Sequence, residues 1–509
     1  MAGLPVAHDR FGVANASLRR SDRSRLIDLA LVLVIGAIVF GVVGLGREWT
    51  GTLHRTVEID LSTSALPKYT LYSLSRGLAA YVLSLGFALV YGYWAAKDRA
   101  AGRVLIPLLD VLQSIPVLGF MPGLIIALVA VFPHSNIGLE LAAIVMIFTG
   151  QAWNMAFSYY HSLKTIPADL DEAATLFRFS WFERLRHVEL PFATIGLVWN
   201  SMISMAGGWF FLMISEAFVL GDKDFRLPGL GSYMSVAVTR GDVAAMVWAV
   251  VAMMTMIVVL DQLLWRPAVA WAQKFRTDDS GQAIAVTSWF LDVLRRSMLL
   301  AAIGRRLRRS SPAKVVPAAR VRSVRAGPLA SRVLFVALFG LVAIGAWKLA
   351  GLLAPVTGGE WLSTFGAAGA TLGRVLLSTA IGTLWAVPAG LAIGLDPKLS
   401  RVLQPVIQIA ASFPAPMLFP AVIALLAILG VPLGIGSVAL MLLGTQWYVL
   451  FNVVAGAQSI PADLREAAQL FGMRRMQRFR ALYLPAVFPY LITGWVTAAG
   501  GAWNASIVA

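Results

Sequence analysis

The sequence contains no cysteine in its 509 residues, so neither a disulfide framework nor a thiolate metal site can be built from it. Its five histidines (His8, His54, His134, His161 and His187) are scattered, and none falls into the HExxH spacing of a zinc hydrolase. Charge is scarce: 13% of residues are Asp, Glu, Lys or Arg, about half the share of a soluble protein. No G-x4-G-K-[ST] run occurs, so the chain lacks the loop that cradles ATP phosphates in the usual way. Glycine and proline follow no fixed period, which excludes a collagen-like chain. No nucleophile–base spacing supports a membrane enzyme, and nothing resembles a selectivity filter.

What is present is apolar. Hydrophobic residues make up 58% of the chain, too many for the surface of a soluble globule and far too many for disorder. The remaining class is a membrane protein with many spans. Runs long enough to cross a ~30 Å hydrocarbon core are expected at 26–45, 70–96, 104–132, 138–162, 192–216 and 243–265. After a gap, others are expected at 332–354, 368–395, 404–430, 434–458 and 486–509. The runs are continuous rather than alternating, as helices require and a barrel would not. The expected fold is an all-α polytopic bundle of about eleven spans.

The formal net charge of +16 is read as positive-inside bias rather than as a nucleic-acid surface. Arg10, Arg19, Arg20, Arg23 and Arg25 hold the N-terminus in the cytoplasm. Lys97, Arg99, Arg103, Lys398 and Arg401 then fall on the same side. So does 266–331, with thirteen basic residues against three acids. The first span is not a cleaved signal: its apolar run is too long, and Gly46-Arg47-Glu48-Trp49 offers no small-residue cleavage site. Within the linker, Trp289–Leu307 has the pattern of an amphipathic helix on the inner membrane surface or of a solvated one.

The sequence repeats itself. Ile166-Pro167-Ala168-Asp169-Leu170 recurs as Ile460-Pro461-Ala462-Asp463-Leu464, Glu172-Ala173-Ala174 as Glu466-Ala467-Ala468, Leu176-Phe177 as Leu470-Phe471, and Leu190-Pro191 as Leu484-Pro485. Upstream, Ser114-Ile115-Pro116 matches Ser412-Phe413-Pro414, Gly92 matches Gly390, and Arg76 matches Arg374. These are two parallel copies of one membrane domain. The expected organisation is a cytoplasmic N-terminus, first span and outer loop (1–69), a first copy (70–275), a basic linker (276–331), an extra span (332–364) and a second copy (365–509). The second copy ends opposite Ser215, before its last span, which is expected of a truncated form and would make twelve spans if restored.

Glu466-Ala467-Ala468, three residues, Gly472, nine residues and Leu482-Tyr483-Leu484-Pro485 resemble the EAA loop of ABC-importer permeases, type I. With Leu74-Ser75-Arg76-Gly77, Leu372-Gly373-Arg374-Val375 and the Gly207-Gly208-Trp209 run, the chain resembles the nitrate, sulfonate, taurine and bicarbonate branch, over about 70–270 and 365–509. The resemblance implies a permease for a small, anionic solute. It also implies two cytoplasmic ATPase subunits, which would hold the ATP and magnesium, and a periplasmic solute-binding protein. No cofactor is expected on this chain, no nucleic acid partner, and the location is a bacterial inner membrane.

Physical reasons stand beside the resemblance. Pro167 and Pro461 suit a helix start. Asp169, Asp171, Glu172, Asp463 and Glu466 place carboxylates at a positive helix end. Ala173, Ala174, Ala467 and Ala468 favour helix and leave a thin face for a partner's groove. Gly472 permits a sharp turn, and Pro191 and Pro485 restart the membrane helix. The first copy has Arg178 where the motif has glycine. Arginine tolerates the left-handed region poorly, so the first loop is expected to turn differently, and Glu466→Ala to harm transport more than Glu172→Ala.

Polar residues inside spans are candidates for the solute path: Arg76, Gln113, Ser114, Trp153, Asn154 and Trp209, then Arg374, Gln408, Ser412, Gln446, Trp447 and Trp503. The arginine pair suits an oxyanion, against a structural or snorkelling role for each. For the tryptophans, interhelical packing competes with solute contact. The alternative function is a secondary transporter with parallel repeats, for which Asp110 is the main coupling carboxylate and Gln408 its matched position.

Overall fold

A computed structural model describes residues 58–220, 223–275, 288–297 and 328–508, with a few positions between 28 and 51. The expected span 26–45, most of the linker 276–331, and the part of the amphipathic stretch beyond Ser297 lie outside the described residues. By internal contacts the chain divides into one unit of Met1–Gly51, Thr165–Trp199 and Val258–Val324, and another of Thr52–Lys164, Asn200–Ile257 and Arg325–Ala509.

The first copy runs through α1 (Leu66–Lys97), α2 (Arg99–Ser114), α3 (Val117–Val131) and α4 (Ile137–Lys164). Two short helices follow, α5 (Ala168–Leu176) and α6 (Trp181–Arg184), then α7 (Leu190–Glu216). A two-residue antiparallel ribbon, β1 (Val219–Leu220) with β2 (Lys223–Asp224), leads to α8 (Leu230–Arg240), α9 (Val243–Leu260) and α10 (Arg266–Ala272). The linker contributes α11 (Trp289–Arg296), whose Trp289 Nε1 donates to Gln262 Oε1 at 3.2 Å. Next come α12 (Pro328–Leu353), α13 (Gly358–Leu395), α14 (Pro397–Ser412), α15 (Phe419–Ile428) and α16 (Leu433–Gln458). The chain closes with α17 (Ala462–Leu470), α18 (Arg475–Arg478) and α19 (Leu484–Ser506).

Among the described residues, seven helices are long and apolar enough to cross a membrane, and counting each of two bent pairs as a span gives nine. The runs expected as single spans at 104–132 and 404–430 are those bent pairs. The break between α2 and α3 is 91°, and between α14 and α15 it is 80°. Each break falls at the residue before a proline, Ile115 or Phe413, for which the proline ring disfavours the helical region. Both residues are extended, at φ −74°, ψ 123° and φ −73°, ψ 129°. The segment expected at 332–354 is the helix α12, with an apolar stretch at Val342–Gly351.

The two copies repeat their internal packing as well as their order. α1 lies along α4, and α13 lies along α16, with α19 packed against both α13 and α16. Matched glycines permit the close approach. A Cβ on Gly92 would meet the Ala156 carbonyl at 3.0 Å, and one on Gly390 would meet Val453 at 2.6 Å. In a membrane, where helices gain little from apolar burial, such close contacts supply the association. Asp98 caps α2 by accepting from Ala100 N–H at 2.8 Å, and its match Asp396 caps α14 through Lys398 N–H at 2.8 Å. Each cap is worth about 1 kcal/mol. The outer faces stay apolar: Val90 and Leu384 are exposed, as lipid-facing residues should be.

Candidate functional site

The duplicated loops fold alike. In the first, Pro167 begins α5 with an extended backbone, and the helix carries Asp169 and Asp171 in its first turn. In the second, Pro461 begins α17, with Asp463 in its first turn. Both helices end in the same hydrogen-bonded turn. Arg178 N–H donates to the Thr175 carbonyl and Phe179 N–H to the Ala174 carbonyl, each at 3.0 Å. Gly472 N–H donates to Gln469 at 2.9 Å and Met473 N–H to Ala468 at 3.1 Å. This pair of bonds closes a helix through one left-handed residue, and that residue is Arg178 at φ 52° or Gly472 at φ 62°.

The first loop therefore does not turn differently, as its arginine led us to expect. The hydrogen bonds of the turn hold Arg178 in the conformation that glycine adopts freely. That geometry also removes the ground for ranking Glu466→Ala above Glu172→Ala. A left-handed non-glycine residue is strained by about 1–2 kcal/mol, partly offset because glycine has more freedom to lose on folding. Arg178→Gly is accordingly expected to raise the melting temperature in detergent, by the equivalent of up to about 1 kcal/mol; a lower melting temperature would contradict the strain.

The second half of each loop joins the membrane helix without a break. α6 starts on a reciprocal cap, in which Ser180 N–H donates to Glu183 at 2.8 Å and Glu183 N–H to Ser180 Oγ at 3.3 Å. It passes through a wide π turn, Leu185–Glu189, into α7, so that Trp181–Glu216 is one helix of 36 residues. α18 passes through Phe479–Tyr483 into α19 in the same way. Pro191 and Pro485 thus do not restart the helix. They sit just after the wide turn, where the missing N–H and the bulk of the ring are accommodated.

The alanines also take a different role from the one expected. Ala174 and Ala468 are buried, and Ala173 and Ala467 are half-buried. Ala174 and Ala468 are thus turned inward and form no part of a thin outer face. The outward surface includes Asp169, Glu172, Arg178, Asp463 and Glu466, all exposed, and apolar tips that motif reading missed. Leu176 and Phe177 are 81% and 75% exposed, and Leu470 and Phe471 are 88% and 83% exposed. The signal for them was their recurrence at the same offset as the motif itself.

The residues read as a solute path separate into groups. Arg76 is fully buried and committed to protein partners. Its Nε and Nη2 donate to the two oxygens of Glu140, each at 2.6 Å, and its Nη1 donates to Glu216 and to the Pro228 carbonyl, each at 2.7 Å. Glu216 also accepts from Ser73 Oγ at 2.8 Å and from Gly231 N–H at 2.9 Å. This latch ties α1, α4, α7 and the start of α8 together and carries a formal charge of −1, so it offers nothing to an anion. Glu140, the one acid in the run 138–162, is the partner that sequence reading passed over. Arg374 has no such frame: a Cβ on Gly434, at the position matching Glu140, would lie 3.9 Å from its Nη2.

Trp209 is buried against Gly77, and Trp153 packs edge-on to Phe87. Trp503 lies beside the buried cluster of Val375 and Met441. Gln113 donates to Asp110 at 3.1 Å, and the Ser114 and Ser412 hydroxyls bond back to the carbonyls of Asp110 and Gln408. Asn154 and Gln446 are half-buried. Gln408 and Trp447 do come together, in a cavity of about 80 Å³ between α7 of the first copy and the helices of the second. Its wall includes Phe210, Phe413, Tyr448 and Asn504, and no lining residue is charged. Among the described residues no group of three or more His, Asp or Glu is placed to hold a metal.

A family described as the binding-protein-dependent transport system inner membrane component matches the chain twice, at residues 88–264 and 379–509. The glycine betaine transport system permease protein of Bacillus subtilis is 27% identical over 193 residues, covering 38% of this chain and 63% of that protein. The nitrate import permease protein of Leptolyngbya laminosa is 25% identical over 140 residues, covering 28% and 49%. The taurine transport system permease protein of Escherichia coli is 28% identical over 143 residues, covering 28% and 50%. The matched stretches thus span about half to somewhat under two thirds of these relatives.

Proposed function

Because the chain belongs to the binding-protein-dependent transport system inner membrane components and carries two domains of that family, we propose that it is the membrane-spanning subunit of an ATP-driven importer for a small solute. The observation that supports this reading best is the duplicated loop. Each copy has a short helix with exposed apolar tips, a fixed left-handed turn and a helix that runs unbroken into the membrane. A partner that moved α5 or α17 would act through the fixed turn on α6 or α18, each of which is continuous with its membrane helix.

In this reading two cytoplasmic ATPase subunits hold ATP and magnesium, dock on the loops, and drive alternating access between the halves. A periplasmic binding protein delivers the solute, and the N-terminus lies in the cytoplasm. The named relatives handle nitrate, taurine and glycine betaine, and the last two are zwitterions without net charge. The cavity around Gln408 and Trp447 is aromatic and uncharged, and Arg76 is occupied by carboxylates. Selection by charge therefore belongs to the binding protein, and the membrane path requires only a small polar solute that uncharged walls can pass.

The test is purification of the full chain from its host in mild detergent, with mass spectrometry of what accompanies it. Two ATPase subunits per chain are expected, both lost from a Glu172→Ala/Glu466→Ala variant. A chain that purifies alone and moves solute into liposomes without ATP would refute the proposal and establish a secondary transporter.

A further inference from the structure

The two loops share a backbone but not a charge. Ile166–Pro191 holds five acidic and three basic residues, and Ile460–Pro485 holds two and five. With histidine neutral, the formal charges are −2 and +3. The short helix, the left-handed turn and the π turn are the same in both. Matched side chains therefore occupy matched places on two surfaces of opposite sign.

The largest single difference is at one pair of positions. In the first loop, Asp171 on α5 meets Arg184 on α6, and Arg184 Nε also donates to Glu189 at 3.2 Å. The second loop keeps the arginine as Arg478, but Asp171 is replaced by Arg465 and Glu189 by Tyr483. Two guanidinium groups thus stand where an ion pair stands in the first copy. The Nε of Arg465 and the Nε of Arg478 are both buried with no hydrogen-bond partner.

Buried donors rarely go unpaired, and neither Nε meets an acceptor within the loop. Asp463 and Glu466 are two and one positions from Arg465, spacings that do not bring side chains face to face on a helix. The neighbours of Arg478 three and four positions back are Arg475 and Arg474, both exposed. An acceptor from outside the loop would complete the pair, and the net charge of +3 favours an acidic one.

Resting on the reading that these loops dock ATPase subunits, we propose that the second loop is completed by its partner. A carboxylate on the docking face of the ATPase enters between Arg465 and Arg478, in the place that Asp171 fills from within the first loop. Arg474, Arg475 and Arg480 surround it with further positive charge. In the first loop Arg184 is already satisfied from within by Asp171 and Glu189, so no partner carboxylate is needed at that place. The second loop docks through charge as well as through its apolar tips, so the two loops are not interchangeable. Either the two ATPase faces differ, or one kind of face is held unequally.

The test uses the full chain in nanodiscs and the ATPase subunit that co-purifies with it. Binding is measured as ionic strength is raised from about 0.05 to about 0.5 M, a range over which exposed charge pairs become strongly screened. Arg465→Asp rebuilds the internal pair of the first loop and is expected to fold. It should lower affinity at low salt by about tenfold or more and flatten the salt dependence. Arg465→Lys should keep the wild-type slope, and Arg240→Asp, an exposed change on α8, should leave both quantities alone. Arg465→Gln repeats the test should the aspartate variant fail to fold.

Unchanged affinity and slope in Arg465→Asp, while serine at Leu470 and Phe471 still releases the ATPase, would overturn this proposal and leave loop docking intact. A wild-type chain that retains no ATPase would overturn the docking reading, and this proposal with it. A third outcome, in which Arg465→Asp changes only the dependence on phosphatidylglycerol in the nanodisc, would assign the arginines to lipid headgroups and overturn the protein carboxylate.

Discussion

Arg76→Gln is expected to lower the stability of the folded chain by about 3–5 kcal/mol, visible as a large fall in melting temperature in detergent. The guanidinium is fully buried and makes four hydrogen bonds at 2.6–2.7 Å, three of them to carboxylates. Removing it leaves Glu140 and Glu216, both nearly inaccessible, as uncompensated charges inside a membrane helix bundle, where ionisable groups are most costly. The amide of glutamine supplies two donors where arginine supplies five, so it cannot satisfy both acids. Arg76→Lys should also be damaging, because the paired contact with Glu140 needs a planar fork. Adding Glu140→Gln to Arg76→Gln should recover part of the loss, since one orphaned charge is then removed. Arg374→Gln should cost much less, as Arg374 lies beside Gly434 with no matching carboxylate there. If Arg76 contacted a solute anion instead, Arg76→Gln would spare the melting temperature and weaken uptake alone.

Much of this was legible in the chain because a repeat doubles every signal. A single Pro-Ala-Asp-Leu run means little, but two at one offset with matched Leu-Pro ends mark a loop under a shared constraint. The long spans were legible from apolar length, and the bends were announced by Ser114-Ile115-Pro116 and Ser412-Phe413-Pro414. What failed were inferences from one residue's preference. Arg178 disfavours the left-handed turn by only a little, whereas the turn closes two hydrogen bonds, so the backbone prevailed. Small size suits a partner's groove, but it suits burial within the loop equally well, and Ala174 and Ala468 are buried. Arg76 looked available because its partners are far off in sequence: Glu140 and Glu216 come from other helices, and no local pattern links them. The π turns before Pro191 and Pro485 had no local signal beyond the prolines.

Serine at Leu176, Phe177, Leu470 and Phe471 together is expected to abolish ATP-driven uptake, by about a hundredfold or more, while leaving the melting temperature nearly unchanged. The argument rests on exposure. These four side chains are 75–88% exposed and so contribute little to packing, and surface substitutions of that kind usually shift stability by no more than about 0.5 kcal/mol. Yet they form the same apolar pair at the same place in both copies, at the end of a short helix whose turn is fixed by two backbone hydrogen bonds. Apolar side chains that face water at matched positions, with no benefit to the fold, are the mark of a contact made elsewhere. In the proposed assembly they are the tips that enter a groove on the ATPase, and apolar anchors of this kind dominate the energy of such contacts. Uptake in vesicles, ATPase retention on the purified chain and melting temperature should be read on the same preparation. Loss of uptake and retention at constant melting temperature assigns the tips to docking. Loss of all three would mean they hold the fold, and full uptake would mean the levers are engaged by Glu172 and Glu466 without them. The pairs also separate by copy. Serine at Leu176 and Phe177 alone should release the first loop with little dependence on ionic strength, because its Arg184 is already paired with Asp171 and Glu189. Serine at Leu470 and Phe471 should release the second loop more completely at high salt, where the contribution of Arg465 and Arg478 is screened.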